Sequence, residues 1–263
     1  YLIYILLFNA MKINLIQLIK SLVTFNGMLK FFFGVPVALI IRLFSSILLI
    51  RITHINAGRI GEFIINPIIY LYQKEKKINS KKKKSLDIFY LEEKVINSFL
   101  LKMLKRKINI GPSSILRAID NAQKSLDRIF KSKEKYKPFL NRKFKTQYID
   151  CLPNSKKNIY FTIEEIERGQ NELLKKFGVK KDDKFVCFLI RDQAFLKKKY
   201  PNLNFDYHEY RNMNPLNFLS AAEELSKRSY FTFRMGRIQE SKFKISGNNK
   251  IIDYANSEFK SDF

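Results

Sequence analysis

Two apolar segments of the sequence are followed directly by arginine, at the points where strands are predicted to end. Residues 184–190 (KFVCFLI) precede Arg191 and Asp192, and residues 230–233 precede Arg234. The carboxyl ends of parallel strands meet at one edge of a sheet, where ligands bind. A planar guanidinium group donates two parallel hydrogen bonds to paired oxygens, so this arrangement predicts a pyrophosphate site. The alternative is that these arginines are surface residues paired with nearby aspartates.

More polar residues are predicted to lie close to the same edge. Asp253 falls near the end of a predicted strand at 250–254, and Gly236 either allows close backbone approach or only makes a turn. A polar loop at 207–212 (YHEYRN) combines aromatic, amide and guanidinium groups. Such groups suit stacking on a base or a sugar together with hydrogen bonding to it. Within this loop, the residues best suited to stacking and hydrogen bonding are Tyr210, Arg211 and Asn212.

The N-terminal half contains a second candidate loop, between a predicted strand at 48–55 and a helix that opens at Glu62. The turn contains Gly58, Arg59 and Gly61. Backbone N–H groups and a helix dipole at such a turn suit phosphate or sugar binding. The alternative is that the glycines only allow the turn to close. Glu62 is either a carboxylate stabilised by the helix dipole or a general base for an acceptor hydroxyl.

These residues require two α/β units to position them. Strands alternate with helices from residue 48 onward, which predicts a parallel sheet with helices on its faces. A lysine-rich linker is predicted at 131–158, and a capping box of Thr162 and Glu165 opens the second unit. The predicted domains are an apolar helical segment (1–47), a first α/β unit with linker (48–158) and a second α/β unit (159–263).

The composition is strongly basic, with 49 Lys and Arg against 24 Asp and Glu in 263 residues and a formal charge of +25. This charge suggests an anionic membrane or a nucleic acid as partner. Because most lysines are scattered and no nucleic-acid motif occurs, we expect no nucleic acid and attribute most of the charge to lysine-rich exposed faces. Two separated cysteines and two histidines predict no metal site.

The first 50 residues are apolar. The run at 31–50 is about as long as a bilayer-spanning helix requires, but it contains Pro36 and Arg42. We therefore expect helices attached peripherally or monotopically to the cytoplasmic face of the inner membrane, with a true transmembrane span as the alternative. The chain starts at Tyr1 and ends at Phe263 just after a predicted strand and turn. This predicts a fragment with an incomplete C-terminal unit, which need not be active by itself.

Four short motifs carry a resemblance to a known family. They are RIG at 59–61, FLIRD at 188–192, YRN at 210–212 and FRMG at 233–236. In this order, and with the apolar segment that runs into the first strand, they resemble glycosyltransferases of bacterial surface-polysaccharide biosynthesis, which have two Rossmann-like domains (GT-B). The resemblance covers residues from about 36 to the end. A more distant similarity is to heptosyltransferases of glycosyltransferase family 9, in which Gly-Asp opens the first helix; here the pair is Gly61-Glu62.

The resemblance implies a nucleotide-sugar donor bound by the C-terminal unit and a lipid-linked or polysaccharide acceptor bound by the N-terminal unit. Glu62 would be the catalytic base, and Gly58, Arg59 and Gly61 would form the acceptor-side loop. Basic side chains would offset the charge of the leaving diphosphate, so neither a metal nor a cofactor is expected. The donor-binding residues would be Arg191, Asp192, Tyr210, Arg211, Asn212, Arg234, Gly236 and Asp253.

A different class of function is also compatible with the composition. A basic, non-catalytic protein that binds anionic membranes or nucleic acid would explain the formal charge of +25 without any enzymatic site. Its binding would depend steeply on salt concentration. The scatter of the lysines favours the enzyme.

Overall fold

The computed structural model describes residues 28–76, 84–130, 159–243 and 247–263. The chain divides into two compact units, Tyr1–Tyr160 (unit 1) and Phe161–Phe263 (unit 2). Each contains a three-stranded sheet in which all strands are parallel. The predicted α/β class with parallel sheets is therefore confirmed. Residues 1–27 of the predicted helical segment and the whole predicted linker (131–158) lie outside the described residues.

Strands and helices alternate along unit 1, as predicted. The sequence predicts Asn97 or Ser98 as the cap of a short helix over 97–105, and the Asn97 side chain accepts a hydrogen bond from the Leu100 N–H at 2.6 Å. The sheet has the order β1-β2-β3. The elements are α1 (Val35–Leu43), β1 (Leu49–Ile55), α2 (Ile60–Glu75), β2 (Ser85–Leu91), α3 (Ser98–Lys105), β3 (Asn109–Ile110) and α4 (Ser113–Ile129).

The apolar run at 31–50 is not one helix. A π-helix (Leu29–Gly34), α1 and a 3₁₀ turn (Phe44–Ser46) precede β1. Arg42 joins α1 to α4: its Nε donates to Gln123 Oε1 at 2.8 Å, and its Nη2 lies 2.5 Å from Asp127 Oδ1. The arginine that interrupts the apolar run is therefore a packing residue of unit 1. The alternative of a single spanning helix over 31–50 is wrong for this segment.

Within the described part of the chain, no helix combines the length and apolar character that crossing a membrane requires.

Two buried aspartates form the polar centre of unit 1. Asp87 accepts two hydrogen bonds from the Arg51 guanidinium, at 2.5 and 2.8 Å, and one from the Tyr70 hydroxyl at 2.7 Å. Asp120 accepts from the Tyr90 hydroxyl at 2.8 Å and lies 2.7 Å from Lys124 Nζ. These contacts satisfy carboxylates that would be costly to bury alone. Burial first, and the adjacent aspartate second, raises the pKa of both tyrosines above the ordinary value.

Raised tyrosine pKa values predict a loss of stability at high pH. Tyrosines in the unfolded chain ionise at about pH 10, whereas Tyr70 and Tyr90 stay neutral in the folded unit at that pH. Their contribution is therefore complete below pH 10 and is lost as the pH rises further. We expect each to add about 1.4 kcal/mol per pH unit to the decrease in unfolding free energy. Chemical denaturation between pH 8 and 11 measures this decrease.

The control for this prediction separates tyrosine from lysine ionisation. The double variant Tyr70→Phe/Tyr90→Phe should show a shallower decrease with pH than the wild type, although it is less stable at pH 8. Equal slopes in the wild type and the double variant would contradict the assignment.

Unit 2 opens with the predicted capping box. The Glu165 N–H donates to Thr162 Oγ1, the Thr162 N–H donates to Glu165 Oε2, and the helix ends at Gly178, whose φ of 71° is left-handed. The sheet has the order β4-β5-β6. The elements are α5 (Ile163–Phe177), β4 (Phe185–Leu189), α6 (Ala194–Lys199), α7 (Leu219–Lys227), β5 (Phe231–Met235) and β6 (Ile251–Ile252), with 3₁₀ helices at Asp206–Arg211, Pro215–Phe218 and Tyr254–Asn256.

Both ends of β5 differ from the strand predicted at 230–233. The strand runs from Phe231 to Met235, so Arg234 lies inside it and pairs in register with Phe188 of β4. Phe231 and Phe233 pack on one core cluster with Val179. Side chains alternate between the faces of a strand, and Arg234 therefore points away from this cluster.

Candidate functional site

Arg191 lies just beyond the carboxyl end of β4, as predicted. Its carbonyl oxygen accepts a hydrogen bond from the Met213 N–H at 2.9 Å. This bond attaches the chain after the 3₁₀ helix Asp206–Arg211 to the end of the strand. The loop with Tyr210, Arg211 and Asn212 and the strand end with Arg191 are thereby brought together, although they are far apart in the sequence.

Two positive charges meet at this point. Burial lowers the pKa of the Arg191 guanidinium, and the charge of Arg211 lowers it further, while Tyr210 acts in the opposite direction. Arginine nevertheless stays protonated at neutral pH. Among the described residues, no carboxylate forms an ion pair with either arginine. Like charges held together without a carboxylate repel each other, and a bound anion would remove this repulsion.

Two polar atoms in this cluster are buried without a hydrogen-bond partner among the described residues. They are Nη1 of Arg191, a donor, and Oδ1 of Asn212, an acceptor. A buried polar atom without a partner costs about 1–3 kcal/mol. A ligand with both acceptor and donor groups, such as a phosphorylated sugar, would satisfy both atoms. Tyr210 is largely exposed beside them, where its ring is free to stack.

Arg234 is fully buried inside β5. Its Nη1 donates to the Ser241 carbonyl at 2.6 Å, and its Nη2 donates to Gln239 Oε1 at 2.9 Å. Asp253 Oδ2 lies 3.7 Å from Nη1. The guanidinium group therefore holds the chain after β5 in place. Arg234 lies inside β5, one residue before its end, and the prediction that the strand ends before Arg234 is wrong because the strand is longer than the apolar pattern indicated.

The two predicted aspartates also bind backbone. Asp192 accepts from the Ala194 N–H at 3.0 Å and from the Glu240 N–H at 2.8 Å. Asp253 accepts from the Phe243 N–H at 2.7 Å and from the Asn256 side chain. Together with Arg234 they fix the segment 239–243. The alternative prediction is that Arg191 and Arg234 pair with nearby aspartates. Among the described residues, Arg234 pairs with Asp253, whereas Arg191 forms no such pair.

Gly236 provides space for one of these contacts. A Cβ atom at this position would collide with the Gln239 side chain. Gln239 Oε1 is the acceptor of the Arg234 hydrogen bond, so moving it aside would break that bond. Gly236 thus belongs to the structure that supports the segment 239–243.

The predicted acceptor-side loop in unit 1 is centred on Asn56. Its Oδ1 accepts from the Gly58 N–H at 3.1 Å, and its Nδ2 donates to Glu62 Oε2 at 2.7 Å. Glu62 lies in the first turn of α2, which begins at Ile60, two residues earlier than predicted. Arg59 and Gly61 are exposed beside it. The carboxylate is therefore held at a helix N-terminus, as expected, by an asparagine that the sequence did not single out.

The strand pattern predicts a structural role for His54, and the structure places this residue at the carboxyl edge of the sheet. His54 Nε2 lies 3.2 Å from Glu92 Oε2, and both side chains are partly exposed. The Arg117 guanidinium donates to the Glu92 carbonyl at 3.0 Å. The parallel register pairs Ile55 with Leu91, so His54 and Glu92 fall at neighbouring strand ends. The signal for this pair in the sequence was a polar residue near the end of each of two adjacent predicted strands.

Within the described ranges, no group of three or more His, Cys, Asp or Glu side chains could hold a metal ion. Comparisons of the chain with protein-family models, with curated proteins and with solved structures found no match.

Proposed function

We propose that this chain is a glycosyltransferase of GT-B type that uses a nucleotide-sugar donor in bacterial surface-polysaccharide synthesis. The observation that carries the proposal is the pair of Arg191 and Arg211, which meets beyond the carboxyl end of β4 without a carboxylate partner among the described residues. Two guanidinium groups match the two phosphates of a nucleoside diphosphate. They would stabilise the charge of the leaving diphosphate without a metal ion.

Tyr210 and Asn212 complete the proposed donor site. The exposed Tyr210 ring offers a stacking surface for a base or sugar, and the buried Asn212 Oδ1 is an acceptor for a hydroxyl group. Arg234, Asp192, Gly236 and Asp253 act as positioning residues in this proposal. They hold the segment 239–243 and do not contact the donor.

We propose Glu62 as the base that accepts a proton from the acceptor hydroxyl. Its carboxylate is fixed by Asn56 at the start of α2. Lipid-linked or polysaccharide acceptors fit the family that the motifs resemble. Glu62→Gln should retain nucleotide-sugar binding and lose transfer to isolated lipid-linked saccharides; an active variant would remove Glu62 from the mechanism.

The decisive experiment measures nucleotide-sugar binding. Isothermal titration with UDP-glucose, GDP-mannose and dTDP-glucose identifies a donor class, and the same titration follows Arg191→Ala and Arg211→Ala. We expect each substitution to weaken binding by about 10- to 100-fold, the value of one or two charge-assisted hydrogen bonds. Arg191→Lys keeps the charge but loses the planar fork, so it should restore only part of the affinity.

Arg228→Ala is the matched control. It removes the same charge from the same unit, but Arg228 is exposed and paired with Glu224 on α7. Its affinity should equal that of the wild type. If Arg191→Ala and Arg211→Ala bind all three donors as the wild type does, or if none of the proteins binds any of them, the donor site is misassigned.

A further inference from the structure

One side of the N-terminal helical segment of unit 1 is apolar and exposed. We call this side the apolar face; it extends from the π-helix through α1 and the 3₁₀ turn to Ile47. Within α1, Leu43 follows Ile40 by three positions and Leu39 by four, which is the spacing of one helix face. No acidic residue occurs between positions 28 and 47. The large apolar side chains exposed on it are Phe32, Phe33, Leu39, Ile40, Leu43, Phe44 and Ile47.

The opposite side of α1 is already buried in unit 1. Ala38 and Ile41 belong to the core cluster with Leu116 and Ile119 of α4. The Gln123 side chain donates to the Ala38 carbonyl at 3.3 Å, and Arg42 binds Gln123 and Asp127. These contacts fix the rotation of α1 about its axis. The apolar face therefore stays on the outer side of this packing.

The end of α4 extends the apolar face. Ile129 and Phe130 are exposed there, and the Phe130 ring lies 5.8 Å from the Arg42 guanidinium carbon. Large exposed apolar surfaces of this kind mark protein or membrane contacts. The absence of acidic residues from 28–47 and the formal charge of +25 favour a surface that is both apolar and anionic. A bilayer with anionic lipids has both properties.

We infer that unit 1 lies on an anionic bilayer through the apolar face, with α1 parallel to the membrane plane and Leu43, Phe44 and Ile47 inserted at the boundary of headgroups and acyl chains. This inference is independent of the transferase proposal, because lipid binding needs no donor. The other occupants of the face, residues 1–27 of the same chain or a second copy, are outcomes of the tests below.

Co-sedimentation of the full chain with phosphatidylcholine–phosphatidylglycerol vesicles tests the inference. Leu43→Glu should reduce the partition coefficient at least about tenfold, because it removes an apolar side chain that inserts into the bilayer and adds a charge that anionic lipids repel. Ile163→Glu is the matched control: Ile163 of unit 2 is 72% exposed and Leu43 is 74% exposed. Unchanged binding of Leu43→Glu, as expected if residues 1–27 or a second copy of the chain cover the apolar face, would overturn the inference.

Depth of insertion gives a second measurement. The chain contains no tryptophan, so Phe44→Trp introduces a single reporter, and Phe185→Trp in unit 2 is its control at similar exposure (53% and 51%). Lipids brominated on the acyl chain should quench the fluorescence of the Phe44→Trp protein and leave that of the Phe185→Trp protein unchanged. Equal quenching in both proteins, or a blue shift of the Phe44→Trp emission caused by self-association without vesicles, would contradict bilayer insertion.

Discussion

Replacing Arg234 by methionine is expected to lower the free energy of unfolding of unit 2 by about 3–4 kcal/mol. The substitution keeps most of the side-chain volume but removes the donors to the Ser241 carbonyl and to Gln239. It also leaves Asp253 without the positive charge that lies 3.7 Å away. Loss of one partner from a buried ion pair is costly because the remaining charge stays buried. Chemical denaturation monitored by circular dichroism measures the change.

The double variant Arg234→Met/Asp253→Asn separates the ion pair from the other contacts. If the pair matters, the second substitution should cost less in the Arg234→Met background than in the wild type. The control for charge alone is Arg237→Met, since Arg237 is exposed and binds Asp262; it should change stability by less than about 1 kcal/mol. If the Arg234→Met protein is as stable as the wild type but no longer binds a nucleotide-sugar, Arg234 is a donor-binding residue and not a positioning residue.

Gly34→Ala is expected to destabilise unit 1 by about 3 kcal/mol. A Cβ atom at this position would lie 2.6 Å from the Ala118 carbonyl oxygen and 2.8 Å from its carbonyl carbon. Both are backbone atoms of α4, so no side-chain rotation relieves the contact. The helical segment would have to move away from α4, which would weaken the packing of Ala38 and Ile41.

Gly61→Ala is the control for this prediction. No atom lies within 4 Å of a Cβ placed there, and the residue is in the first turn of α2. Alanine is favoured over glycine in helices, so we expect a stability increase of about 0.5 kcal/mol. Urea denaturation of both variants gives the comparison. Equal stability of Gly34→Ala and wild type would show that the two backbones are not in contact.

Local patterns predicted local structure well. The Thr162–Glu165 capping box and the Asn97 cap are present because each depends only on residues three positions apart. The alternation of strands and helices in unit 1 also follows from patterns within short segments. The end of β5 was not predictable in this way, because an arginine inside a strand has the same local signature as an arginine just after it.

Ser113 shows the same limit at a helix start. The sequence offers Ser113 and Ser114 as caps of α4, but no side chain caps this helix, and the Ser113 hydroxyl accepts a hydrogen bond from the Leu91 N–H at the end of β2. Both roles suit a serine at this position. The choice depends on how closely β2 approaches the helix, and that distance is set by the packing of the sheet.

By itself, the sequence determined the α/β class, the parallel strands and the residue types available at the strand ends. Only the tertiary structure decided what the long basic side chains contact. Arg42 binds residues 81 and 85 positions away, and Arg191 meets Arg211 only because the Met213 N–H binds its carbonyl. The physical reason is that a long, flexible side chain has many possible partners, and only the packing of distant segments selects one.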